Sequence, residues 1–369
     1  MKTISSLLLL AAHAAAQTGT AEGFASGVTG GGSAARVTPS TNAQLVSYLG
    51  DSTARVVVLT KTFDFVGTEG SVTETGCAPW GTSSACQLAI NANNWCSTNP
   101  AAQVTYDKAG PTAIDVASRK TIIGVGTSGV IRGKGLRIIG GVSNVIIQNI
   151  HITELNPKYV WGGDALNIDG DLVWVDHVKV SRVGRQMVRT GPDATKRISL
   201  TNNDFDGTTS WSASCDGHHY WAFLMQGNND KVTMKGNYIH GVSGRAPKVL
   251  GSNALFHVVN NYFADNTGHA FDVESGPAVV IEGNQFENIK TPIQGSVGTT
   301  FAAPTNLNSA CTATLGHACQ PNNLVGSGSL TGSTSTSFLS RYQGHGAAIA
   351  TQNTLVKRNV LNNAGIGKI

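Results

Sequence analysis

The chain has 369 residues and a formal net charge of +4, with only 13% of residues charged and 44 glycines. Charge at about half the roughly 25% usual for globular proteins, together with many turn-forming glycines, points to a β-rich fold. No run of Lys or Arg forms a nucleic-acid patch, and beyond the leader no stretch reaches the roughly 18 apolar residues of a membrane helix, so both classes are set aside.

Met1 and Lys2 precede an apolar stretch from Leu7 to Ala16, and Ala14, Ala15 and Ala16 offer a small-residue cleavage site before Gln17. Residues 1–16 are therefore expected to be a secretory signal peptide, and residues 17–369 one secreted domain without an internal linker. Thr41 to Leu49 (TNAQLVSYL) reads as a short helix that caps one end of the fold. Six cysteines, Cys77, Cys86, Cys96, Cys215, Cys311 and Cys319, should pair in an oxidising compartment, although spacing leaves the connectivity open. A metal site at Cys215, His218 and His219 is disfavoured, because adjacent histidines rarely face one ion and no CxxC partner exists.

From residue 145 onward one pattern recurs: apolar, any, apolar, any, polar or Gly, Asn, any, apolar. Its clear copies are Ile198 to Phe205 (ISLTNNDF), Val232 to Ile239 (VTMKGNYI), Phe256 to Phe263 (FHVVNNYF) and Val279 to Phe286 (VVIEGNQF). Val145 to Ile152 and Val173 to Val180 share the apolar columns, with Ile150 and Val178 in place of Asn. Successive starts lie 28, 25, 34, 24 and 23 residues apart. Period-two alternation marks strands, and the spacing is too short for a strand, a full helix and a return strand. Each unit is thus one coil of a β-solenoid. Stacking should bury Val145, Val173, Ile198, Val232, Phe256 and Val279 in one column. Asn203, Asn237, Asn261 and Asn284 should recur at a bend, where Asn tolerates left-handed backbone and its amide can bond the next coil.

Extra residues between coils must leave the stack as loops, and loops on a rigid scaffold carry sites. Three such excursions are Thr75 to Trp95, Asn156 to Asp164 (NPKYVWGGD) and Trp211 to Trp221 (WSASCDGHHYW). Trp80, Trp95, Trp161, Trp211 and Trp221 all fall in them, with His218 and Tyr220 alongside. Flat apolar rings stack on sugar faces, so a polysaccharide cleft is expected. The segment from Gly326 to Ser337 (GSGSLTGSTSTS) is low in bulk and reads as flexible surface.

WGGDALNID (161–169), LVWVDHVKVSRVGRQ (172–186), SCDGHHYW (214–221), MKGNYIHGVSGRAPKV (234–249) and GHAFDVESG (268–276) closely resemble fungal pectin lyases. The resemblance covers essentially all of residues 17–369 and implies an all-β, right-handed parallel β-helix and eliminative cleavage of methyl-esterified galacturonan. It also implies that Arg245 is the catalytic base, with Lys248, Asp164 and Arg185 around it, and that Cys77 pairs with Cys96, Cys86 with Cys215 and Cys311 with Cys319.

Charge chemistry supports part of this. Removing the C5 proton makes an enolate, which needs nearby positive charge, available from Arg185, Arg245 and Lys248 and oriented by Asp164. Arginine, with a pKa above about 12, acts as base only where burial and neighbouring cations lower it; Lys248 as base with Arg245 as stabiliser is the alternative. Relatives that act on free carboxylates hold calcium with acidic residues after the VDH segment, whereas this chain has Arg182 and Arg185 there. No carboxylate cluster suits a hard divalent ion, so no metal or other cofactor is expected. A calcium-dependent pectate lyase is the rival on the same fold, and a glycoside hydrolase would need paired carboxylates. A non-catalytic wall-binding β-helix would have the aromatic groove without a base. The expected partner is esterified pectin alone, met by a monomer.

Overall fold

The computed structural model describes residues 17–192, 196–294, 299–304, 306 and 308–369, so the predicted signal peptide, residues 1–16, lies outside the described residues. The chain winds into a right-handed parallel β-helix with three faces. Its first face stacks strands that include Ser143–Gln148, Asp171–Asp176, Arg197–Thr201, Lys231–Lys235, Leu255–Val259 and Ala278–Glu282. The second face carries His151–Leu155, Lys179–Val183, Asp204–Asp206 and Tyr238–His240; the third carries Leu166–Ile168, Val188–Thr190, Phe223–Met225 and Lys248–Val249. One long strand, Tyr262–Val273, runs through both of these faces and joins them.

Val145 pairs with Val173, then Ile198, Val232, Phe256 and Val279 follow in unbroken register. Each is at most 1% exposed, as the alternating pattern requires, and complete burial of such a side chain contributes about 1.5–3 kcal/mol. The asparagine column is an amide ladder. Asn203 Nδ2 donates to Asn237 Oδ1 at 2.8 Å, Asn237 to Asn261 at 2.8 Å, Asn261 to Asn284 at 3.0 Å, and Asn284 to Asn322 at 3.0 Å.

The left-handed conformation expected of that column belongs instead to the residue before it: Asn202, Gly236, Asn260 and Gly283 have φ between 50° and 69°. The bend therefore divides two tasks between neighbours, one reversing the backbone and the next bonding the adjacent coil.

The expected cap is the helix Asn42–Gly50, started by Thr41 Oγ1 accepting from the Gln44 N–H, with Leu45 and Leu49 fully buried against the first coils. Three disulfides form, Cys77–Cys96, Cys86–Cys215 and Cys311–Cys319, so Cys215 is unavailable to a metal. The 326–337 stretch is mostly exposed, yet Ser333 is buried and Leu330 packs on the core.

Candidate active site

Site residues far apart in sequence become neighbours because they occupy the turn between second and third faces in consecutive coils. The Arg185 N–H donates to Gly163 O, Met187 N–H to Trp221 O, Phe223 N–H to Arg245 O and Ala246 N–H to Ala270 O. Asp164, Arg185, Trp221, Arg245 and Ala270 thus stand at one turn on five consecutive coils, with neighbouring coils about 4.8 Å apart.

Arg185 is clamped. Its Nε and Nη2 bond the two carboxylate oxygens of Asp164 at 2.8 and 2.6 Å, and its guanidinium lies 3.7 Å from the ring centre of Trp161. This bidentate, stacked arrangement fixes the plane of the cation. His219 is buried and its Nε2 donates to Arg185 O at 2.7 Å; burial pulls its pKa down to about 4, so it is neutral.

Arg245 differs in every respect. It has a left-handed backbone with φ 50°, and among the described residues no carboxylate lies within ion-pairing distance of it. Its guanidinium sits 4.7 Å from the Trp221 ring centre and 5.8 Å from that of Tyr220, while its Nε is buried without a hydrogen-bond partner. Burial lowers its pKa from the ordinary arginine value and the Arg185 charge adds to this, while Tyr220 and Asp272 oppose it.

Lys248 is held otherwise than the sequence reading required. Its Nζ bonds Asp272 at 2.8 Å and Glu274 at 3.0 Å. Burial pulls the ammonium down, but the two carboxylates outweigh it and leave the pKa above the ordinary lysine value. The expected lowering by burial is overturned, which removes the physical case for Lys248 as base. Crowding of Arg245 by cations comes from Arg185.

Trp80, Trp95, Trp161, Trp221 and Tyr220 pack into one cluster, with Trp80 at 6.1 Å from Trp95 and 5.9 Å from Trp221. The two disulfides Cys77–Cys96 and Cys86–Cys215 tie their loops together. Trp80, Tyr220, Trp221 and Arg245 line a cleft of about 510 Å³ with Asp216 and His269. His218 lines an adjoining depression that meets the cleft at Thr267. Trp211 is half-buried, and among the described residues no ring contact joins it to the cluster, so its placement with the other tryptophans is not reproduced.

Four residues escaped the sequence reading. Gln87, fully buried, accepts from Trp221 Nε1 and donates to Gly184 O; Arg189 lies 3.7 Å from both Asp164 and Asp169; Asp272 and Glu274 hold Lys248. The coil period could have found Asp272, since it lies 24 residues after Lys248, the same spacing as Val232 to Phe256. Among the described residues no three His, Cys, Asp or Glu side chains group as a metal site.

The family model described as Pectate lyase matches residues 1–369. The chain belongs to the pectate lyase family. Pectin lyase B of Emericella nidulans is 56% identical over 375 residues, covering 99% of this chain and 98% of that protein. A probable pectin lyase A of Aspergillus fumigatus is 57% identical over 365 residues, covering 97% and 96%. These likenesses place the chain among the family's fungal pectin lyases, which are polysaccharide lyases. A solved structure described as "Pectate lyase bound to hexasaccharide" superposes with a TM-score of 0.59 at 18% identity, over 94% of this chain and 97% of that one. Another pectate lyase structure reaches 0.64 at 18% identity, again over 94% and 97%. At that identity they establish the β-helix alone.

Proposed function

We propose that the chain cleaves methyl-esterified galacturonan by β-elimination, with Arg245 as base. Neutral guanidine at Arg245 takes the C5 proton, the electron pair passes into the ester carbonyl as an enolate, and the C4–O bond then breaks. That forms the C4–C5 double bond while the departing oxygen takes a proton from solvent water, and Arg245 returns the C5 proton to solvent to regenerate the neutral base. Arg185, fixed by Asp164 and Trp161, and Lys248, fixed by Asp272 and Glu274, supply positive charge toward the enolate oxygen.

The observation carrying this reading is that Arg245 is the cation left without a carboxylate, half-buried against aromatic rings, with a lowered pKa. The esterified substrate is supported by charge balance. Four cations (Arg185, Arg189, Arg245, Lys248) meet five carboxylates (Asp164, Asp169, Asp216, Asp272, Glu274), so the cleft carries no net positive charge to draw a polyanion and suits a neutral ester. Asp164, Asp169, Asp272 and Glu274 are engaged by the cations, and Asp216 by Ser214, Thr267 and the His218 N–H, which leaves charge stabilisation to side chains. Trp80, Trp161, Trp221 and Tyr220 are the sugar-stacking surfaces. We further infer that residues 1–16 are removed and that residues 17–369 act as one secreted, monomeric domain.

The test is the release of unsaturated, ultraviolet-absorbing oligosaccharides from highly methylated pectin in EDTA. Full activity is expected. Loss of activity with chelator would instead favour a calcium-dependent pectate lyase.

A further inference from the structure

We propose that His269 is a positioning residue for Arg245: its neutral imidazole accepts the Arg245 backbone N–H and holds that residue in the left-handed conformation that presents the guanidinium to the cleft. The inference rests on Arg245 being the base. The Arg245 N–H donates to His269 Nε2 at 3.2 Å, and the Arg245 carbonyl accepts from the Phe223 N–H at 2.6 Å. A non-glycine residue at φ 50° persists only where its surroundings fix it, and these two bonds hold its peptides on both sides.

His269 is itself built into place. It is 7% exposed and meets Tyr220 edge-on at 5.7 Å, the same ring that the Arg245 guanidinium approaches. Gly244 admits this packing, because a Cβ there would fall 2.6 Å from the Tyr220 ring and 3.1 Å from His269 Cε1. On its other side the His269 carbonyl accepts from Asn266 Nδ2 at 3.0 Å, and its N–H donates to Ser243 O at 3.3 Å.

Since the partner is an N–H donor, His269 Nε2 must carry the lone pair and the proton must sit on Nδ1. Protonation would set donor against donor and release Arg245. Burial holds the His269 pKa below the ordinary histidine value; Asp272 opposes this, and Lys248 and Arg245 reinforce it. The remaining groups around it are Tyr220, Asp216 in the same cleft, Glu274 just past the end of its own strand, and Lys290 beside Thr291, which pairs with His269 on the next coil. Turnover should therefore fall on the acid side as His269 takes up a proton.

The experiment measures kcat and KM against pH on methylated pectin for the wild type, His269→Gln and His269→Phe, with Arg245→Ala in the same series. Glutamine offers an acceptor that does not titrate, so His269→Gln should retain neutral-pH kcat within about fivefold while its acid inflection moves down or disappears. His269→Phe should lose about tenfold or more in kcat at every pH, with KM nearly unchanged and the wild-type circular dichroism spectrum. A wild-type acid inflection in His269→Gln, or wild-type kcat in His269→Phe, overturns the inference. If Arg245→Ala is inactive in that case, the base assignment stands without it; if Arg245→Ala is active, the base assignment itself is what fails.

Discussion

Each coil turns from the first face to the second and from the second to the third, and the two corners use the same stacking for opposite ends. At the first corner Asn203, Asn237, Asn261, Asn284 and Asn322 repeat one residue type, and each amide is bonded to the next. At the second corner consecutive coils present Asp164, Arg185, Trp221, Arg245 and Ala270, no two alike. Repetition satisfies every buried polar group and stabilises. Variation places unlike chemistries one rung apart, at the cost of an orphaned Arg245 Nε and a left-handed Arg245 backbone.

If that division is right, Arg245→Ala should reduce kcat by about 10³-fold or more with no change in melting temperature, because the residue serves chemistry and not the stack. Paired Cys86→Ser and Cys215→Ser replacement opens a cross-link between residues 129 apart. On chain-entropy grounds this should lower unfolding free energy by about 2–5 kcal/mol in urea titrations, and should loosen Trp80 from Trp221. Asn237→Ala should cost about 1–3 kcal/mol, since it orphans the buried Asn203 backbone N–H and removes one bond each from the side-chain amides of Asn203 and Asn261, while kcat of the folded enzyme stays near wild type.

The smallest effect is set by pH. Burial keeps His219 neutral in the native state down to about pH 4, and His151 likewise, whereas unfolded histidine protonates near its ordinary value of 6.5. The unfolded chain then binds more protons between those values, so stability should fall progressively as pH drops from about 6.5 to about 4, with little lost near neutral pH. Melting curves for His219→Gln should show a shallower decline.

The apolar columns were readable because alternation and coil length are both local patterns, and Val145 through Val279 stack as that pattern demands. Asn322 was not, since 38 residues separate it from Asn284 and no copy of the apolar pattern introduces it. Arg185 and Asp164 were readable through motifs, but the charge state of Lys248 depends on Asp272 and Glu274, which reach it only across a coil boundary. Trp211 shows the converse: a loop position and an aromatic ring do not decide which way the loop folds.

A guanidinium with no carboxylate partner among the described residues, in a cleft without net positive charge, should act on a neutral sugar ester. The most direct test offers the enzyme an equal mixture of methylated and de-esterified oligogalacturonides in one tube with chelator, and reads the masses of the unsaturated fragments. Fragments bearing methyl esters should dominate from the first turnover. Predominance of ester-free fragments, or no fragments until calcium is restored, would contradict the account.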